Sequence, residues 1–312
     1  MMLDASRHTS SDENSGNLTR GRFCILVASS EHGRDIFEIV FQNAETIWRD
    51  CDWSRYVGFT RKRPDIYGFR ALAAQKPSDW RGELCDQLNS LPNEIEYVLL
   101  ILEDALFMSP VAGAKLNAIA DLIVRKNLYY VSLIPLRRNL PGLIVEYFRR
   151  RLSKRPLRRL SPAEPYYCSL GIAIWKRDYL RWFLQQPGSI WDLEHIVSDK
   201  PHYAVWTPVF EQEHLVKKGK WISQAPRYLA RQGIVFAGDK RGFLPLTARL
   251  RDLREVIVFQ TVGFLSFRIR RRLKMIDHRA PRQDSYKAAI ADNIEAGNCC
   301  SEATATQQKR SS

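Results

Sequence analysis

The apolar run "YVLLIL" (97–102) ends on two adjacent carboxylates, Glu103 and Asp104, before the chain returns to "ALFMSPV". Two ionised acids side by side repel, and keeping both charged beside a core costs free energy unless a cation or hydrogen-bond donors compensate them. A divalent metal suits such a place, and a metal in turn recruits phosphate. The plainer reading has Asp104 capping the next turn and Glu103 pointing to water. From these two residues alone both readings stand.

The elements around the acids give them a position. "RFCILVASS" (22–30) reads as a buried strand ending in small hydroxyl residues, and "RDIFEIVFQNAETIW" (34–48) has the apolar spacing of a helix. "RYVGFT" (55–60) is a second strand, and "DWRGELCDQLNSL" (79–91) is a helix capped by Ser78 or Asp79 and stopped by Pro92. After "YVLLIL", "VAGAKLNAIADLIVRKN" (111–127) is a helix and "LYYVSLIP" (128–135) a strand. "YYCSLGIAIWKRDYLRWFLQQPGSIWDLEHI" (166–196) resumes with a strand, a helix ending near Pro187, and a second helix from about Trp191. This alternation implies a three-layer α/β/α sandwich on a mostly parallel sheet. Ligands of such sheets gather at the carboxyl ends of the strands, which is where Glu103 and Asp104 fall.

The chain of 312 residues is 45% hydrophobic, enough for one large domain with appendages. A net charge of +14 draws it toward polyanions: nucleic acid, anionic lipid or a phosphorylated substrate. The six cysteines show no zinc-type spacing and fit a reducing cytosol. Residues 1–21 lack the apolar centre of a secretory signal, and no stretch has the roughly 18–20 apolar residues of a membrane span. The expected location is cytoplasmic.

"EYVLLILEDALFMSPV" resembles the segment of GT-A-type glycosyltransferases in which a buried strand ends in an acidic DxD-like motif. More narrowly, it is similar to family-2-like enzymes of bacterial surface polysaccharide synthesis. A second block, "YYCSLGIAIWKRDYLRWFLQQPGSIWDLE", is similar to that group's strand ending in "aiW" with a closing W-x-x-E. The resemblance implies a GT-A-like fold over 22–235, a nucleotide-sugar donor and a saccharide or lipid-linked saccharide acceptor. It places Asp104 on a divalent cation, Mn2+ or Mg2+, that holds the diphosphate, with Glu103 nearer the sugar or ribose hydroxyls. Ser29, Ser30 and Glu31 then fall where the nucleotide is met, with Arg34 close by and Arg61 or Arg63 available to the diphosphate. An ordinary polar turn after the first strand and a solvated basic loop are the competing readings.

In the same comparison Trp191 stacks on a sugar and Glu194, or Asp192, takes the acceptor proton in an inverting displacement. Against this, Asp192 is a helix cap and Trp191 a core residue; His195 reads as structural. One departure stands out: where a DxD or EDD motif carries a third acid, this chain has Ala105. Ala105 motivates the alternative of a non-catalytic glycosyltransferase-like scaffold.

Two arginine-rich zones, 137–160 and 240–279, carry most of the positive excess and pair it with apolar residues. The first reads as a basic insertion. The second, within a basic helical C-terminal extension (236–280) ahead of a disordered tail (281–312), suits a helix lying on an anionic membrane surface, each basic residue contributing about 1 kcal/mol. That would make the enzyme peripheral at the inner membrane face. A nucleic-acid-binding protein is the other alternative, but the arginines are not interleaved with aromatics in any binding module, and no specific nucleic-acid partner is expected.

Overall fold

The computed structural model describes residues 21–75, 79–134, 156–162, 167–188, 193, 196, 198–217, 219–236, 241–245 and 247. The segments read as a disordered N-terminus and tail, and most of both basic zones, lie outside the described residues.

Six helices and twelve strands are described. The helices are α1 (Arg34–Val40), α2 (Ala44–Ile47), α3 (Trp80–Ser90), α4 (Gly113–Arg125), α5 (Arg177–Leu184) and α6 (Ala225–Arg231). The main sheet holds β1 (Phe23–Ala28), β2 (Ser54–Phe59), β3 (Arg70–Ala73), β4 (Tyr97–Leu102), β6 (Tyr130–Ser132), β7 (Leu157–Arg159), β8 (Ala173–Lys176) and β9 (His202–Val205). Their order is β3-β2-β1-β4-β8-β6-β9-β7. β8 runs antiparallel to β4 and β6, and β7 antiparallel to β9, so the other six strands point one way. Two small ribbons stand apart: β5 (Ala105–Phe107) with β10 (Gln212–His214), and β11 (Val216–Lys217) with β12 (Lys220–Trp221).

The sheet is central because its strands are apolar on both faces. In β1, Phe23, Ile25 and Val27 enter one core with Ile36, Phe37 and Val40 of α1 and Leu116 and Ile119 of α4. Cys24, Leu26 and Ala28 enter the other, with Leu84 and Leu88 of α3 and Leu180 and Phe183 of α5. A strand's side chains alternate with period two, so one apolar run builds both layers. Each large apolar side chain removed from water contributes about 1.5–3 kcal/mol.

Local chemistry sets the helix ends. The Asp79 carboxylate accepts the Gly82 N–H at 2.9 Å and caps α3, while Leu91 is extended, as the residue before Pro92 must be. At the start of α4, a Cβ on Gly113 would stand 1.7 Å from the Asp50 carbonyl oxygen, so only glycine admits this approach. The helix expected over 34–48 is broken in two. Asn43 donates its side-chain amide to the Gln232 carbonyl (2.8 Å), which ties the bend between α1 and α2 to the end of α6.

No strand was expected over 70–73, where the edge strand β3 pairs with β2; the other differences concern the second half. Strand–helix alternation implied a mostly parallel sheet, which is found, with β8 antiparallel to both neighbours as an exception that the sequence did not mark. A long connection from β6 lets the chain reverse, and nothing in the strand's own residues records its direction. The end of the basic insertion is also a strand: β7 closes the sheet with Leu157 and Arg158 buried. His202 on β9 is fully buried. Its ring nitrogens meet the Tyr179 hydroxyl (2.7 Å) and the Tyr167 carbonyl oxygen (3.1 Å), and burial lowers its pKa to about 4. It is a neutral structural histidine. No described helix is long and apolar enough to cross a membrane.

Candidate functional site

Strand register builds the candidate site. Ala28 pairs with both Gly58 and Leu102, so Ser29, Phe59 and Glu103 follow level with one another at the carboxyl edge of β1, β2 and β4. The side chains that could do chemistry emerge from the loops just beyond.

After β1, the Ser30 hydroxyl accepts the Gly33 N–H at 3.1 Å, and the Ser30 carbonyl accepts it at 3.0 Å. That acceptor takes part in the turn. Ser29 is buried at 3% exposure, its hydroxyl against the Ser30 carbonyl. Glu31 reaches across to the loop after β2, where Arg63 donates to its Oε2, and Arg63 and the Arg61 backbone hold its carboxyl below the usual carboxylate range. Among the described residues, the buried Glu31 Oε1 and Arg63 Nε have no hydrogen-bond partner. Arg34, by contrast, lies on the surface of α1, paired with Glu38 at 2.7 Å.

Glu103 and Asp104 form the turn between β4 and β5, and the two acids have different environments. A Cβ on Gly33 would stand 2.3 Å from Glu103 Oε1, so the carboxyl as placed lies over the space that a glycine leaves. Burial first, and the Asp104 and Asp35 charges, raise the Glu103 pKa to about 7; a hydrogen bond to its own backbone and, less, the charge of Arg241 oppose them. Near neutrality Glu103 is thus about half protonated, able to donate as well as accept. The pair need not be doubly ionised.

Asp104 Oδ1 lies 3.1 Å from His214 Nδ1, and the Asp104 carbonyl accepts the Leu215 N–H at 3.0 Å. Ala105 occupies the position where a third acid was sought; it is fully buried and its register partner across the ribbon is His214. The polar side chain facing Asp104 comes instead from β10. Among the described residues no group of three or more His, Cys, Asp and Glu comes together. Asp104 and His214 make a two-donor set, which fits an ion only if ligand oxygens complete its coordination.

Asp35, in the first turn of α1, accepts two bonds from Arg241, one of them Nε to Oδ2 at 2.8 Å. Trp191, Asp192, Glu194 and His195 lie outside the described residues. Leu193 between them is fully buried in the core under α3 and α5. A hollow under β5, lined by Val40, Phe41, Ile47, Trp48, Leu106 and Ile234 among others, has no ionisable group in its wall.

Sequence reading missed His214 and Arg241. His214 sits 110 residues from Asp104, in the short strand "QEH", and no local spacing connects the two. Arg241 had only its membership of a basic run to mark it.

The sequence matches no family model, and no curated protein matches it. Solved structures similar to it include a mycobacterial protein at 14% identity, covering 74% of this chain and 82% of that one, with a TM-score of 0.38. Glucosyl-3-phosphoglycerate synthase from Mycobacterium tuberculosis, in complex with phosphoglyceric acid, is 13% identical over 74% of this chain and 88% of that one, with a TM-score of 0.34. A197 from STIV is 10% identical over 62% and 85%, with a TM-score of 0.29.

Proposed function

We propose that this chain is a glycosyltransferase that takes a nucleotide-sugar donor at the carboxyl edge of β1, β2 and β4. The observation that supports it best is that the Asp104–His214 pair follows β4 and the Glu31–Arg63 pair follows β1 and β2 at the same carboxyl edge of the sheet. The first pair suits a diphosphate and the second a nucleoside. Glu103, half protonated near neutral pH, suits ribose or sugar hydroxyls, which both donate and accept.

In the reaction the bond between the anomeric carbon and the diphosphate oxygen breaks as the acceptor oxygen bonds to that carbon. The acceptor hydroxyl's proton passes to a carboxylate, Glu194 or Asp192, with Trp191 against the acceptor sugar. The nucleoside diphosphate leaves with added negative charge. Asp104 and His214 are the residues that would hold Mn2+ or Mg2+, which when bound supplies neutralisation of that charge. The acceptor, a saccharide or lipid-linked saccharide of the cell surface, and attachment at the inner membrane face rest on the sequence resemblance and the basic segments. The scaffold alternative rested on Ala105, and His214 opposite it weakens that motive.

A thermal-shift panel of UDP-, GDP-, ADP-, CDP- and dTDP-sugars, with and without Mn2+, tests the reading, since a ligand of the folded state raises Tm with occupancy. At least one donor is expected to raise Tm, more with metal present. No shift with any of them would refute the proposal.

A further inference from the structure

Beyond α6 the chain returns across the acidic edge. Residues 241–245 lie alongside β12: the Trp221 N–H donates to the Gly242 carbonyl at 3.1 Å, the Leu244 N–H donates to the Trp221 carbonyl at 2.8 Å, and the Trp221 side chain is fully buried. These bonds fix the backbone beside Arg241. Its Nε and Nη2 then engage both carboxylate oxygens of Asp35. Asp35 is two residues from Gly33, the residue against which the Glu103 carboxyl rests, and the Arg241 charge is felt at Glu103.

A guanidinium carries five N–H donors in a planar fork. Asp35 uses one edge of it. Among the described residues no partner is seen for Nη1, and 20% of the side chain remains exposed. Bidentate docking fixes the plane of the fork and presents the unused donors without further loss of rotamer freedom. The charges of Asp104 and Asp35 both act on Glu103, so an incoming diphosphate meets negative charge at this edge, which a fixed cation would offset.

We propose that Arg241 is a ligand of the donor's diphosphate and that Asp35 is the positioning residue that holds it ready. This rests on the donor-site reading above. It gives the returning segment a part in the site, although Arg241 lies in the stretch read from sequence as a basic extension.

The test uses the full chain with Mn2+ and measures affinity for UDP, GDP, CDP, ADP and dTDP by calorimetry. The nucleoside matching the tightest binder is measured by ligand-observed NMR, and Tm confirms folding. Arg241→Gln is expected to weaken that diphosphate by roughly ten- to a hundred-fold, the loss of one or two charge-assisted bonds, while nucleoside binding stays unchanged. Arg241→Lys should recover part of the loss, and Asp35→Asn should give a smaller loss of the same kind. Undiminished diphosphate affinity in Arg241→Gln, or an equal loss for the nucleoside, would overturn the assignment of Arg241 alone. If none of the five diphosphates binds the unaltered protein, the donor-site reading falls and this proposal falls with it.

Discussion

The two ends of β4 carry acids of the same kind in opposite circumstances. At the amino end, Glu96 forms a two-bond ion pair with Arg22, at 2.7 and 2.8 Å, and its backbone carbonyl accepts the Arg177 N–H. The Arg177 guanidinium also binds the carbonyls of Asn89, Leu91, Pro92 and Ile95, clamping the loop from α3 into β4. Charge there is engaged by the fold, although the buried Arg177 Nε has no hydrogen-bond partner among the described residues. At the carboxyl end, Glu103 is pressed against Gly33 with a raised pKa, Asp104 holds a histidine from a distant ribbon, and Glu31 keeps a buried oxygen without a partner among the described residues. Acids and cations tied into the fold at one edge, and at the other an acid with a raised pKa beside one held by a distant histidine, make the contrast on which the proposed donor site rests.

If that contrast is real, damage at the amino edge should cost stability and spare activity. Arg177→Ala removes four side-chain bonds to carbonyls and should lower unfolding free energy by about 3 kcal/mol in urea melts, with donor binding retained by the folded fraction. Loss of binding without loss of stability would break the comparison.

Glu103→Gln should show the reverse. A carboxyl whose folded pKa is about 7 instead of 4.5 penalises the folded state increasingly as pH rises from 4.5 through 7, and not below that window. Without added metal, the glutamine variant should therefore be more stable than the parent at pH 8, on the order of 1–3 kcal/mol, and equal to it at pH 4. His202 contributes the opposite slope, its stabilisation complete above pH 6.5 and lost as pH falls toward 4. Comparing variant with parent at each pH cancels that contribution. The smallest effect belongs to Glu96→Gln. Its ion pair is exposed, 32% and 44% for the two side chains, so the change should cost under about 1 kcal/mol and leave turnover unchanged.

In the first half of the sheet β1, β2 and β4 were legible, β1 and β4 as unbroken apolar runs, and the Asp79 cap and Pro92 stop mark α3 directly, but the four-residue, partly exposed edge strand β3 was not read. From the end of β4 alone, Glu103 and Asp104 could be placed at the carboxyl edge. β8 was found as a strand but not its direction, because pairing sense is set by a distant connection. The strands β5, β7 and β10 are three residues each, too short for periodicity to register. His214 escaped for the same reason: its value lies in register with Ala105, and register between segments more than a hundred residues apart leaves no local mark.

The claim that the carboxyl end of β4 handles the phosphates of an activated sugar is tested most directly by Asp104→Asn, a change that keeps shape and removes charge. With Mn2+ and the donor that binds best, turnover or hydrolysis of the nucleotide-sugar is expected to fall by at least about a hundredfold while Tm without ligand stays within a few degrees of the parent. Near-normal turnover in that variant would contradict the account.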